Sequence, residues 1–196
     1  MSQQPSDDNQ NKNDLTNNVL YGNMGMFKFA AIFLVLWWVL NYLYNHYFLG
    51  TSLFEHYLNL CVSLVKELLN FTGEQIDLGH LPNSMLGEIR SHDGAVVRFG
   101  EGTDGLSIMA ALVAAIVAWP GSLLKKIAAV ILSVITIFIL NIVRVAAMLK
   151  VDVYFPLHFD VMNTWVLPGA LVLAALGCFL LWIKVSGQHP FDDQPA

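Results

Sequence analysis

The run from Ile127 to Leu140, IAAVILSVITIFIL, contains no charged residue and no helix breaker, and it stays apolar to Leu149 apart from Asn141 and Arg144. A bilayer core about 30 Å thick is crossed by roughly 20 apolar residues in a helix, because every backbone polar group there must find its partner inside the segment. The rest of the chain fits the same solvent. Of its 196 residues, 56% are hydrophobic and 13% charged, against about 45–50% and ~25% in soluble domains. The composition is that of a membrane protein.

Apolar runs predict four spans, at about 27–48, 105–119, 123–149 and 166–185. The second reaches full length only if the polar knot before it and Pro120 after it serve as its caps. Between the first two spans, Leu53, Tyr57, Leu60, Leu64 and Leu68 recur near helical spacing, while Glu55, His56, Lys66 and Glu67 interrupt. That pattern predicts a helix lying in the interface, with a membrane-crossing helix as the alternative left open. Turn residues around short alternating runs such as Ala95–Phe99 then predict two or three short strands. The fold class expected is an all-α membrane protein. It is a four-transmembrane-helix bundle with an interfacial helix and a small β-containing extracytoplasmic cap. Residues 25–185 form its single membrane domain. Residues 1–24, rich in Gln, Asn, Asp and Ser, read as a disordered tail, and 186–196 as a second tail.

Lys125-Lys126 is the only tight basic pair between spans, and the positive-inside rule puts it in the cytoplasm. Both termini then lie in the cytoplasm, and residues 50–104 and the loop 150–165 lie outside. Arg90, Arg98 and Lys150 fall on the outer side against the trend. A net charge of −5 with no basic cluster excludes nucleic acid as a partner. Cys61 and Cys178 sit in separate apolar segments and the histidines are scattered, so neither a metal site nor a cofactor is expected.

With this topology, polar residues distant in sequence meet at the outer ends of the spans. Glu101, Thr103 and Asp104 precede the second, Asn141 and Arg144 stand near the end of the third, and His158, Asp160 and Asn163 lead into the fourth. Boundary charges cost about 2.5–3.5 kcal/mol on insertion scales, so they have a partner or a task. Structural roles stand beside functional ones: Thr103 and Asp104 as helix caps, Arg144 reaching the headgroups or pairing with Asp104, and His158 as an interface side chain.

The segment EGTDGLSIMAALVAAIVAWPGSLLKKIAAVILSVITIFILNIVRVAAMLK, followed by VYFPLHFDVMNTWVLP, resembles the exosortase/archaeosortase family over about residues 95–183. Members are multispanning, transpeptidase-like enzymes of the bacterial or archaeal plasma membrane that process exported proteins bearing C-terminal sorting tails. Their Glu-x-Cys-x-Gly-Leu knot falls on Glu101–Leu106, and their Asn-x-x-Arg on Asn141–Arg144. The resemblance implies a cysteine nucleophile at the position of Thr103, an Arg at Arg144 that favours the thiolate or holds the oxyanion, and a His that moves the proton. Here the Cys position is Thr103, and the His position falls on Asn163, with His158 five residues earlier.

A threonine hydroxyl is far less acidic than a thiol and needs a general base within hydrogen-bond reach. The resemblance therefore implies a catalytically degenerate relative that recognises sorting tails at the outer face of the membrane. Two alternatives stay open: an active peptidase or transpeptidase using Thr103, Arg144 and His158, and an accessory subunit of a surface-polysaccharide or envelope assembly. Whether it is an enzyme is undecided at this level. The partners expected are a tailed exported protein and membrane lipid.

Overall fold

The computed structural model describes residues 7–74, 76–80, 87–91, 94–100 and 102–187. In chain order the elements are α1 (Asp7–Leu43), a π-helical turn (Tyr44–Phe48), α2 (Ser52–Phe71), and strands β1 (Ile76–His80), β2 (Gly87–Ser91) and β3 (Val96–Phe99). Next come α3 (Leu106–Ala118), α4 (Leu123–Tyr154), a 3-10 turn (Pro156–His158), the short α5 (Phe159–Val161), a second π-helical turn (Met162–Val166) and α6 (Leu167–Ser186). Among the described residues, three stretches are helical, long and apolar enough to cross a membrane: Gly25–Phe48, Leu123–Tyr154 and Pro156–Ser186.

Two expectations about helix boundaries differ from the structure. Residues 7–24, expected as disordered tail, continue α1 back to Asp7; once an apolar helix has nucleated, each further residue adds a hydrogen bond at little entropic cost. The remainder of that tail, and 188–196 of the C-terminal one, lie outside the described residues. The loop expected at 150–165 is largely helical, because α4 runs on to Tyr154 and Pro156 opens a series of turns leading into α6. Proline is well tolerated at a helix start, where its missing N–H would be unpaired anyway.

The expected second span is the shortest of the apolar helices. α3 has 13 residues, about 20 Å at ~1.5 Å per residue. It packs against α1, α4 and α6, with Met109, Leu112, Ala114 and Ile116 buried. Trp119-Pro120 ends it, since the residue before a proline is driven out of helical geometry. Lys126 Nζ then donates to the Val117 carbonyl at 2.8 Å, which places a cation at the negative end of the helix dipole. Gly121 lets the turn pass close to α6: a Cβ there would sit 3.1 Å from the Trp182 ring.

α2 divides its surface three ways. Phe54, Leu58, Cys61, Val62, Val65 and Leu69 are buried at helical spacing, facing α4 and the sheet. Leu53, Leu60, Leu64 and Phe71 form a second, exposed apolar ridge. The polar residues that interrupt the run complete the circle. The period read from the sequence falls partly on the exposed ridge, because two adjacent apolar stripes fit a 3.6-residue repeat equally well.

The strands form an antiparallel sheet in the order β1-β2-β3. The β2–β3 register pairs Glu88 with Arg98, Ile89 with Val97 and Arg90 with Val96. Alternation sends Ile89 and Val97 into a core shared with α2 and the last half of α4, with Val145 and Leu149. A second core joins Met109, Leu112 and Ile116 of α3 to Ile137, Leu171 and Trp182. Leu106 and Phe138 border both cores.

The assignment of the α2 faces sets a prediction. Leu58 is 4% exposed and Leu60 52%. Leu58→Ala should cost about 2–5 kcal/mol, the usual range for a buried leucine, and Leu60→Ala within ~0.5 kcal/mol, measured by unfolding in mixed micelles. Equal costs would contradict the assignment.

Candidate functional site

A polar node lies where the two cores meet, and Asp104 is its centre. The Asp104 residue is 1% exposed. Its Oδ1 accepts the backbone N–H of Leu106 at 3.1 Å, so the carboxyl caps the start of α3. Its Oδ2 accepts the Tyr44 hydroxyl from the π-helical turn after α1. Its backbone carbonyl accepts the Tyr57 hydroxyl of α2 at 2.7 Å and the Asn141 side-chain amide of α4 at 2.9 Å. Four elements therefore converge on one residue.

The approach of α4 requires the next residue to be glycine. Gly105 has φ +78°, and a Cβ there would lie 2.9 Å from Asn141 Cγ. Both the left-handed backbone and the absence of a side chain are needed.

Arg144 follows Asn141 by one turn on α4 and is 7% exposed. Asp104 is the carboxyl group whose charge reaches it. Among the described residues, Arg144 Nε and Asn141 Oδ1 have no hydrogen-bond partner. A buried donor and a buried acceptor, one turn apart, are thus left over from the fold.

Directly outside the node is a cavity of about 470 Å3. Thr103 and Asn163 line it together, with Met148 and Phe159 on the helical side and Val96, Val97, Glu88, Arg90 and Arg98 on the sheet side. Thr103 adjoins Asp104 in sequence, and Met148 lies one turn beyond Arg144, so cavity and node share a wall. Arg144 itself lies behind that wall and is not part of the lining.

The residues singled out by sequence therefore separate into three groups. Thr103 and Asn163 share the cavity; Asp104, Asn141 and Arg144 share the node. His158 and Asp160 are exposed and line neither. The segment is helical, which puts Phe159 and Asn163, four apart, on one face. Glu101 lies outside the described residues.

The Thr103 hydroxyl is already engaged: it accepts from the Gly100 amide and donates to the Gly100 carbonyl, both at 3.0 Å. A carbonyl takes no proton, so this partner supplies no base.

Tyr44 and Tyr57, not singled out by their sequence context, act through their hydroxyls. Tyr44 lies in YLYNHYF, a stretch whose aromatics suit an interface belt, and Tyr57 in the apolar period of α2. Nothing local distinguishes a tyrosine that anchors from one that donates inward. Glu88, Arg90 and Arg98 were also missed as a group. Their signal is the strand alternation that puts Glu88 and Arg90 on one face, which Arg98 joins from its place directly across from Glu88.

Glu88 is buried and takes both guanidinium groups, Arg90 Nη2 at 2.9 Å and Arg98 Nε at 3.5 Å. The Arg90 hydrogen bond, with Arg98 adding to it, holds the Glu88 carboxyl below its ordinary value. A carboxyl depressed in the folded state stabilises above its unfolded value, and that contribution is lost as pH falls through the folded value. Acidification below the ordinary glutamate range should therefore lower the melting temperature of the parent protein more than that of Glu88→Gln. Parallel pH profiles would show that the trio contributes nothing.

Among the described residues no group of His, Cys, Asp and Glu has the arrangement to hold a metal ion. No family model, curated protein or solved structure matches this chain.

Proposed function

We propose that this chain is an exosortase-like integral membrane protein that binds the C-terminal sorting tail of an exported protein at the outer face of the membrane and does not cleave it. In this reading α1, α3, α4 and α6 form a four-helix membrane bundle. α2 lies at the interface, its apolar ridge against lipid and its polar face toward the headgroups. The sheet caps the outer side, and both termini are cytoplasmic. α3 completes its crossing with the polar knot at its start and the Trp119–Ser122 turn at its end.

The observation that carries the non-cleaving reading is the state of Thr103. Its hydroxyl is closed on the Gly100 backbone, and its neighbour in the cavity is Asn163. An amide takes no proton at neutral pH, so an alkoxide has no route to form there. The motif-matching residues nonetheless border one cavity and one node, and a cavity of about 470 Å3 has the volume of an ordinary ligand pocket, ~300–1,000 Å3. Its mixed lining offers apolar contact from Met148 and Phe159 and hydrogen bonds from Thr103 and Asn163.

The test is co-expression with a secreted reporter carrying an exosortase-type tail. The unaltered protein should co-purify with the intact reporter and yield no cleaved product. The combined Thr103→Cys, Asn163→His variant should gain cleavage. Cleavage by the unaltered protein, abolished by Thr103→Ala, would overturn the non-cleaving reading. A reporter neither bound nor cleaved, with a different stoichiometric partner retained, would move the assignment to an accessory subunit.

A further inference from the structure

Charge is spread unevenly over α4 and α6. From Gly105 to Val151, and again from Val161 to Phe191, the chain contains no Asp or Glu. Lys125 and Lys126 at the start of α4 and Lys184 near the end of α6 therefore have no acidic neighbour in sequence. The Gly121 turn abuts Trp182, so these two helix ends lie together. Lys126 is engaged by the Val117 carbonyl, whereas among the described residues Lys125 makes no ion pair.

Lys125 stands at one end of a groove of about 320 Å3 between α4 and α6. The lining runs from Lys125 to Thr136 on α4 and from Val185 back to Cys178 on α6. That stretch of α4 rises about 16 Å, close to half of the ~30 Å hydrocarbon core. Past Thr136 the second core takes over, with Ile137 and Leu171 buried in it. The groove has the depth of one leaflet.

Its width separates the candidate occupants. A volume of 320 Å3 spread over that rise gives a cross-section of about 20 Å2. A single polymethylene chain has that girth; a helix with its side chains is about 10 Å across and needs several times as much. The space exists because α4 presents Ala128, Ala129 and Ser133 to it, where larger side chains would fill it. Trp182 forms part of the wall, and its Nε1 is buried without a partner among the described residues. The ring abuts the Gly121 turn, so this spare donor sits toward the charged end, where the ester and phosphate oxygens of a lipid lie.

We propose that the α4–α6 groove binds one anionic phospholipid, with an acyl chain between the helices and the headgroup phosphate on Lys125. A basic side chain at the head of an inter-helical groove is an arrangement that retains anionic lipid. The inference goes beyond tail binding, because the node and its cavity lie toward the other end of α4, at Asn141–Met148.

The test is native mass spectrometry of the full chain in mild detergent, titrated with dioleoyl phosphatidylglycerol or dioleoyl phosphatidylcholine. These share their chains and phosphate and differ in whether a choline offsets the charge. The first phosphatidylglycerol should bind about fivefold more tightly than the first phosphatidylcholine, the preference that one lysine supplies. Lys125→Gln should bring the two lipids level. Ala128→Leu, at an exposed position, should weaken both by filling the groove, and both variants should keep the parent melting temperature.

Equal affinity of the parent chain for the two lipids would overturn the anionic site, and unchanged binding by Ala128→Leu would overturn its placement in the groove. Displacement of phosphatidylglycerol by equimolar glycerol phosphate would mean that a free anion is recognised without a chain, and would overturn the proposal. A dimer that Ala128→Leu converts to monomer would assign the groove to a second copy and overturn it likewise. Tail binding is read separately, by reporter co-purification.

Discussion

The hydrogen bonds on Asp104 hold together the elements that meet at the start of α3. A tyrosine after α1, a tyrosine in α2 and an asparagine in α4 all end on one residue at the start of α3. Apolar packing alone is a weak guide to relative position in a lipid environment, where the surroundings are as apolar as the helices. Polar contacts made at one point fix register and rotation in a way that leucine against leucine does not. Gly105 belongs to the same constraint, since only its lack of a side chain lets Asn141 approach.

The node is not closed upon itself. Asn141 Oδ1 and Arg144 Nε remain without partners among the described residues. Each such group costs about 1–3 kcal/mol relative to a satisfied one. A core built for stability alone would place apolar side chains there. The cost falls beside the wall that carries Thr103 and Met148, where a binding site benefits from polar groups held in place. The cavity outside the wall is bordered on its sheet side by the Arg90–Glu88–Arg98 trio.

Much of this was legible in the sequence because membrane helices are read from long apolar runs. The α4 run and the stretch after Pro156 appear as helices long enough to cross. The boundaries and faces were less legible. α2 offers two adjacent apolar stripes, and only tertiary packing decides that Leu58 goes inside and Leu60 outside. The segment after Pro156 has the proline and polar residues of a loop, yet its helical turns carry Asn163 into the cavity and leave His158 out. Asp104 was visible as a candidate cap, whereas its bonds to Tyr44 and Tyr57 span 60 and 47 positions. Contacts of that range leave no periodic trace. Arg90 and Arg98 looked like exceptions to a charge rule, and their pairing emerged only with the strand register.

The account depends most on whether Asp104 joins the helices through its side chain, and a double-mutant cycle on Tyr44 and Asp104 measures this directly. Tyr44→Phe would be made in the parent chain and in Asp104→Asn, with unfolding followed in the same micelles. The account predicts that removing the hydroxyl costs less in the Asp104→Asn background, by about 1 kcal/mol or more, as coupled neighbours in one network show. An identical cost in both backgrounds would mean that the two side chains do not interact, and the node would not be the point where these helices are held.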